Sequence, residues 1–190
     1  MGLLVAYCST AYHLLFMMIY LVIILAALTR VVPHMPNVAV VTAIAIFAGS
    51  LLPMRKALGI TFLVRLFSDI AIGFFTWKLM VAVYAAHLLG VLFGKWVGSG
   101  KVSVARFGKV VTSSLATSVL FFVVTNFALL YAEYPHTWAG ITQAYVNGLP
   151  FLRGTLLGDV GFSVNLFLMY DVARLAIPWL KRQRVAVTTA

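Results

Sequence analysis

Charged residues are few in this chain, and they cluster between long apolar runs. Only 9% of the residues are charged, 63% are hydrophobic, and the mean hydropathy is +1.05. A soluble domain is about half apolar and about a quarter charged, so a soluble fold does not have room to bury this much apolar surface. In lipid the backbone must satisfy its own hydrogen bonds, as helices or as a closed barrel. The apolar runs here are continuous rather than alternating, which favours helices.

Six apolar runs predict an all-α integral membrane protein, a bundle of six transmembrane helices forming one domain over residues 1–190 with no soluble domain. The second run is short for a helix that crosses a bilayer, which needs about 20 residues, so we expect it to begin or end inside protein. A longer outer loop is predicted between helices 5 and 6, over residues 133–154, where Thr137 can cap a short helix over residues 138–145. The predicted spans cover residues 11–29, 38–52, 57–77, 79–93, 110–131 and 155–179.

Basic residues fall mostly on one side of this six-span arrangement. Nine of the 14 Lys and Arg residues lie in segments on the side of the termini: Arg55, Lys56, Lys95, Lys101, Arg106, Lys109, Lys181, Arg182 and Arg184. The other side holds only Arg30, Lys78 and Arg153. Because positive residues concentrate in cytoplasmic loops, both termini are predicted to be cytoplasmic. Membrane lipids are the expected partners of these cations, and without a soluble basic domain we expect no nucleic-acid partner.

Arg65 and Asp69 form the sharpest polar feature inside a predicted span. They lie one helical turn apart, a spacing at which side chains meet. Ionisable groups at this depth are rare and usually face the bundle interior or a cavity. The pair is equally compatible with a substrate or ion site and with a self-neutralised pair that fixes helix packing.

Further polar residues concentrate in the half of the predicted bundle that faces away from the cytoplasm. An outward-facing binding pocket is one interpretation of this pattern. The alternative is a set of separate helix caps and interhelical hydrogen bonds of modest strength. With Arg65, the candidate substrate-binding residues are His34, Asn37, Asp69, Asn126, His136, Arg153 and Asp159.

His87 lies in the middle of the predicted fourth span. It is a candidate ligand only if a pigment is bound, and a buried, hydrogen-bonded histidine is the favoured interpretation. Nothing in the sequence indicates a metal site, which needs several ligands at defined geometry, and no cofactor is predicted. No nucleophile and base can be paired, so no enzymatic activity is predicted.

Several motifs resemble an uncharacterised bacterial membrane family described as candidate transport proteins. The first is TRVVPHMPNVAVVTAIAIFAG, over residues 29–49, and the last is YVNGLPFLRGTLLGD, over residues 145–159. The resemblance implies a bacterial inner-membrane protein with several passes. Its motif positions fall on Arg30, Pro33, His34, Pro36, Asn37, Asp69, Asn126, His136, Arg153 and Asp159.

The predicted layout is also similar to the substrate-binding components of energy-coupling-factor vitamin transporters. Those proteins have six helices, cytoplasmic termini and an outward-facing ligand pocket, and they dock a coupling subunit through small residues on the first helix. In this chain the small residues lie on the second span instead, at Ala39, Ala43, Ala45 and Gly49. The resemblance therefore extends to the pocket more than to docking on a coupling subunit.

Two functions from different classes follow. The first is transport or capture of a small polar solute in the outward pocket. The alternative is an accessory transmembrane subunit of a photosynthetic or respiratory complex, packing against other subunits, lipids or pigments. The two differ in what would co-purify: a colourless protein favours the first, and a coloured or large complex favours the second.

Overall fold

The computed structural model describes residues 17, 19–21, 23, 24, 28 and 40–188, with side chains as far as residue 176 apart from residue 132. The described residues between 17 and 28 are helical and are called α1 here. Five further helices follow, and the described residues contain no strand. They are α2 (Val41–Leu51), α3 (Met54–Ile72), α4 (Trp77–Val97), α5 (Val104–Glu133) and α6 (Trp138–Thr188).

Local chemistry explains where these helices begin and end. Pro53 precedes α3 and has no N–H with which to continue α2. Gly73 follows α3 at φ +112° and Gly98 follows α4 at φ +67°, conformations that glycine adopts without steric cost. At the start of α5 the Ser103 hydroxyl accepts a hydrogen bond from the Arg106 N–H at 3.2 Å, and Thr137 accepts from the Gly140 N–H in the same way at the start of α6.

Several polar side chains are buried in this bundle, while many large apolar ones face outward. Ser114, Thr117 and Ser118 on α5 are fully buried. By contrast Trp77 is 69% exposed and Phe67 is 65% exposed. A water-soluble protein has the opposite arrangement. Among the described residues, three helical stretches are also long and apolar enough to cross a membrane: Trp77–Val97, Val104–Tyr131 and Trp138–Ala176.

The short helix α2 occupies the centre of the bundle. Every residue from Val41 to Ser50 is buried, and its 11 residues span only about 16 Å. This agrees with the expectation that the second apolar run begins or ends inside protein. A Cβ added at Gly94 on α4 would collide with the Ile46 carbonyl oxygen, and one at Gly49 would collide with the Val91 carbonyl oxygen. The two helices therefore approach so closely that only glycine fits at these points, as in other small-residue interfaces.

The helix connections gather at two ends of the bundle. At one end the Lys78 ammonium donates to the Tyr131 carbonyl oxygen at 3.4 Å, which brings the α3–α4 and α5–α6 connections together. We call this the Tyr134 end. At the other, Lys95 donates to the Leu52 carbonyl oxygen, and Arg174 donates to Ser99 and Gly100 at 3.2 and 3.0 Å. We call this the Lys101 end, and it carries Arg55, Lys56, Lys95, Lys101, Arg106, Lys109 and Arg174.

The predicted outer loop over residues 133–154 is wrong. Only residues 134–137 connect α5 to α6, and α6 is helical from Trp138 onward. Thr137 caps the helix as expected, but the helix does not stop at Tyr145 and continues through Pro150. Pro150 lacks an N–H to donate to the carbonyl four residues earlier, yet α6 packs along the whole of α5, and this packing outweighs the local preference.

Other boundaries differ by smaller amounts. Helix α3 ends at Ile72, before the predicted end at Trp77, because Gly73 turns the chain there. Trp77 begins α4, which then continues to Val97 beyond the predicted end at Phe93. Helix α5 begins at Val104, six residues before the predicted start, because Ser103 provides the cap.

Candidate functional site

A cavity of about 270 Å³ lies between the second half of α5 and the first half of α6. Asn126 and Thr155 are buried at its deeper part, while Glu133 and Asn147 are exposed at the Tyr134 end. Glu133 is the one charged residue among the described residues of the lining. We call this space the α5–α6 cavity. Its lining consists of Phe121, Phe122, Thr125, Asn126, Leu129, Glu133, Tyr134, Ala144, Asn147, Gly148, Phe151, Leu152 and Thr155.

Asn126 reaches α6 because the facing residue has no side chain. A Cβ added at Gly148 would collide with the Asn126 side-chain oxygen and amide carbon. The Asn126 amide nitrogen donates to the Phe122 carbonyl oxygen at 2.7 Å, which fixes the side chain against its own helix. The amide nitrogen of Asn126 is thus anchored, while its side chain remains part of the cavity lining. A fixed polar group in this position is suited to orienting a polar ligand.

The wall near the opening is held by two hydrogen bonds between α5, α6 and their connection. Asn147 donates to the Tyr134 hydroxyl at 3.2 Å, and the Tyr145 hydroxyl donates to the Val123 carbonyl oxygen at 3.0 Å. The Tyr145 ring also contacts Phe122 edge-on, with 5.7 Å between the ring centres. These contacts place hydroxyl, amide and aromatic groups together around a small space.

Asp159 lies one helical turn from Thr155, beyond the deeper part of the cavity. Its side chain is 2% exposed and accepts a hydrogen bond of 2.7 Å from Ser118 on α5. Thr42, in the first turn of α2, also faces the Asp159 carboxyl group. Asp159 therefore joins three helices at the centre of the bundle.

Arg65 and Asp69 meet as the spacing predicts. The Arg65 Nε donates to the Asp69 carboxylate at 2.8 Å, and both side chains are buried. The Arg65 guanidinium also lies over the rings of Phe75 and Tyr84, 5.5 and 5.7 Å from their centres. These contacts belong to α3, α4 and the connection between them, and neither residue lines the α5–α6 cavity.

Of the remaining candidate residues, the two that the structure describes, His136 and Arg153, do not gather with Asn126 and Asp159. His136 is exposed and stacks on Tyr131, with 4.8 Å between ring centres, and Arg153 is exposed on α6 beside an apolar surface groove. His34 and Asn37 lie outside the described residues. The structure thus places Asn126 in the cavity, Asp159 just beyond it, and Asp69, Arg65, Arg153 and His136 elsewhere.

His87 is buried inside the bundle on α4. Its Nδ1 is hydrogen-bonded to the Val83 carbonyl oxygen at 2.8 Å, and its ring packs on Phe121, with 4.9 Å between ring centres. These contacts agree with the interpretation of His87 as a buried, hydrogen-bonded histidine. Pigment ligation and the accessory-subunit hypothesis remain predictions.

Sequence reasoning missed most of the polar residues of the cavity, among them Glu133, Tyr134, Asn147 and Thr155. The reason is the outer loop predicted over residues 133–154, in which a helix was expected only over residues 138–145 and none over residues 146–154. Read as a helix, Ala144, Gly148, Phe151 and Thr155 recur at intervals of three or four residues, the period of one helix face. That period was the signal in the sequence that this segment lines a site together with α5.

Comparison with known proteins gives one match. A family model described as a family of unknown function, DUF6580, matches residues 11–180. No curated protein and no solved structure matches the chain. Because the model covers most of the sequence, the expectation of an uncharacterised family is confirmed: the chain belongs to the DUF6580 family of unknown function.

Proposed function

We propose that this chain is a six-helix protein of the bacterial inner membrane that captures a small polar solute in the α5–α6 cavity for transport. The observation that carries the proposal is the cavity itself, which combines about 270 Å³ of space with converging polar groups. Binding sites for small molecules are mostly apolar spaces of several hundred Å³ with a few placed polar groups. The α5–α6 cavity is at the small end of that range, so the solute is small.

The lining also indicates the class of solute. Glu133 contributes a carboxylate at the opening, and the described lining residues include no basic one. Asn126, Asn147 and Tyr134 contribute groups that both donate and accept hydrogen bonds. Phe121, Phe122 and Phe151 provide flat apolar surface. A neutral or positively charged solute with an apolar or aromatic part fits this set better than an anion does.

The proposed orientation of the protein in the membrane rests on the distribution of its basic residues. The basic residues of the Lys101 end mark the cytoplasmic side, so the Tyr134 end and the mouth of the cavity face outward. The outward-facing polar surfaces then include Glu133 and Asn147. Similarity to the substrate-binding components of energy-coupling-factor transporters, and any coupling partner, belong to this proposal as well.

The first prediction tests solute capture by comparing two asparagines on the same helix. Purified full-length protein is screened by thermal shift against amino acids, nucleobases, vitamins and polyamines. For a compound that stabilises the protein, Asn147→Ala is expected to weaken binding about fivefold, the loss of one hydrogen bond of about 1 kcal/mol. Glu133→Gln is expected to cost about tenfold or more for a cationic compound, because hydrogen bonds to charged groups are stronger.

Asn165→Ala is the matched control. Asn165 is exposed on α6 outside the cavity lining, and its amide donates to the Gly161 carbonyl oxygen of its own helix. Its removal is expected to leave the affinity unchanged. Solute capture in this cavity is rejected if no compound in the panel stabilises the protein, or if the Asn165 and Asn147 variants weaken binding equally.

A further inference from the structure

A second cavity, of about 150 Å³, lies at the Lys101 end, between the first turns of α5 and residues 164–171 of α6. It is far from the α5–α6 cavity, since Arg106 on α5 lies five helical turns or more from Asn126. Most of its lining is apolar, including Phe107, Phe167 and Leu168, and its charged members are Arg106 and Asp171. We call it the Arg106 cavity.

Arg106 and Asp171 form an ion pair that leaves two polar atoms without hydrogen-bond partners among the described residues. The Arg106 Nη1 donates to Asp171 Oδ2 at 2.5 Å, and the Arg106 Nε donates to the Gly98 carbonyl oxygen at 3.3 Å. Within the described part of the chain, Arg106 Nη2 and Asp171 Oδ1 are buried and have no hydrogen-bond partner. Arg106 is only 6% exposed. Leaving a buried charged group unsatisfied costs more than about 1 kcal/mol, so such atoms indicate an additional partner.

The size and chemistry of the Arg106 cavity limit which kind of molecule that partner can be. One water molecule occupies about 30 Å³ of liquid, so the cavity holds more than a single bridging water. The Nη2 atom needs an acceptor, and a phosphate oxygen is a strong acceptor for guanidinium. Asp171 Oδ1 needs a donor, which a phosphodiester group lacks and a hydroxyl supplies. A phosphate ester that carries a hydroxyl satisfies both atoms.

Charge and surface around the cavity favour an anionic lipid over a free metabolite. Two further cations lie close to lining residues. Lys101 is two residues before Ser103, and Arg174 is one helical turn after Asp171. Together with Arg106 they bring three positive charges to the cavity, against the single negative charge of Asp171. Phe107 is 54% exposed and Leu168 is 58% exposed, so the apolar wall continues onto the outer surface of the bundle. Basic pockets between helices on the cytoplasmic side suit acidic lipid headgroups.

We propose that the Arg106 cavity binds the headgroup of one phosphatidylglycerol-type lipid, with an acyl chain along the apolar surface of Phe107 and Leu168. The Arg106 guanidinium and nearby cations bind the phosphate, and the headgroup hydroxyl donates to Asp171. The site rests on the membrane placement of the chain but not on solute capture, which takes place at the opposite end. Lipid binding and solute binding are therefore tested by independent measurements.

The second prediction tests this lipid site on the full-length protein in a mild non-ionic detergent. Dioleoyl phosphatidylglycerol, dioleoyl phosphatidylcholine or inorganic phosphate is added, and thermal unfolding is followed by tryptophan fluorescence. We expect a saturable rise in Tm of several degrees with phosphatidylglycerol, and little change with the other two. Lys101→Gln is expected to raise the phosphatidylglycerol concentration for half-maximal effect about fivefold, and Arg106→Lys is expected to abolish its advantage over phosphatidylcholine.

Charge removal elsewhere at the same end provides the control. Arg55 and Lys56 are exposed on α3, and Arg55→Gln with Lys56→Gln is expected to leave the lipid response of the wild type intact. If this double variant weakens the response as much as Lys101→Gln, the effect is general surface attraction and the site is rejected. The same holds if the two lipids stabilise equally, if inorganic phosphate alone reproduces the shift, or if phosphatidylglycerol has no effect. Should Arg106→Lys fail to fold, the comparison of Lys101 with Arg55 and Lys56 decides.

Discussion

The Arg65–Asp69 pair shows what an ion pair contributes inside an apolar bundle. The sequence left open whether the pair binds a substrate or fixes packing. The described contacts favour packing, because the two charges neutralise each other at 2.8 Å and the guanidinium lies against Phe75 and Tyr84. A charge left alone at this depth is costly, so each residue of the pair depends on the other.

The third prediction follows from that dependence. Asp69→Asn leaves the buried Arg65 without its counter-charge, and breaking a buried pair from one side costs about 3–5 kcal/mol. We therefore expect a large loss in the free energy of unfolding, measured by denaturant titration in detergent. Arg65→Met combined with Asp69→Leu removes both charges and is expected to recover most of the loss, because replacing a whole buried pair by apolar residues is often neutral.

Arg153→Ala is the control for Asp69→Asn. Arg153 is exposed on α6, so its removal is expected to change the unfolding free energy by no more than about 0.5 kcal/mol. Equal losses in the Asp69 and Arg153 variants would contradict a packing role for the pair. If the double variant at residues 65 and 69 folds but no longer binds the solute, the pair takes part in substrate binding.

At the scale of whole helices, the sequence predicted the position of a helix well wherever hydropathy alone determines it. The runs over residues 79–93 and 110–131 lie within α4 and α5, and the shortness of the second run matches the buried helix α2. Segments in which tertiary contact decides were predicted poorly. Gly148 and Pro150 suggest a turn locally, yet Gly148 is the position at which α6 meets Asn126 on α5. No local pattern reveals that a facing side chain needs the space of a missing Cβ.

The contact between α2 and α4 was also only half predictable. The small residues of α2, such as Ala45 and Gly49, indicated a close-packed face. Their partners Gly90 and Gly94 on α4 did not stand out in a run that reads as uniformly apolar. The structure places Gly90 against Ala45 and Thr117, so that three helices meet there.

The fourth prediction compares the same substitution on two helices. Gly94→Ala adds a Cβ that collides with the Ile46 carbonyl oxygen, a backbone atom that cannot move aside without separating α2 from α4. We expect a destabilisation of about 1–3 kcal/mol, typical of overpacking. Gly59→Ala on α3 meets nothing within 4 Å, so it should be neutral or stabilising by up to about 1 kcal/mol, because alanine favours helix. Thermal unfolding in detergent measures both, and shifts of the same sign would contradict the close α2–α4 approach.

For the whole molecule, the distribution of polar and apolar side chains indicates apolar surroundings. Polar residues such as Ser118 and Asp159 are buried, while Trp77 and Phe67 face outward. The same molecule is also divided along its length, with the α5–α6 cavity at the Tyr134 end and the basic residues at the Lys101 end. Helices α5 and α6 reach both ends, so they connect the proposed solute site with the proposed lipid site.

The fifth prediction concerns orientation in the membrane. Helix α5 has 30 residues and is about 45 Å long, which matches a bilayer with its headgroups. Lys101 and His136 are exposed near its opposite ends. In a Cys8→Ser background, Lys101→Cys and His136→Cys are labelled in intact spheroplasts with a membrane-impermeant maleimide. Because the Lys101 end carries the basic residues, we expect only His136→Cys to react before permeabilisation.

Both cysteine variants should react after permeabilisation, which shows that neither thiol is merely inaccessible, and the Cys8→Ser parent should not react at all. Labelling of Lys101→Cys alone from outside would invert the orientation and place the α5–α6 cavity on the cytoplasmic side, where it could not capture an external solute. Labelling of both variants in intact spheroplasts would mean that α5 does not cross the membrane, because its two ends would then share one side. Labelling of His136→Cys alone fixes the direction in which the α5–α6 cavity opens, independently of any bound solute.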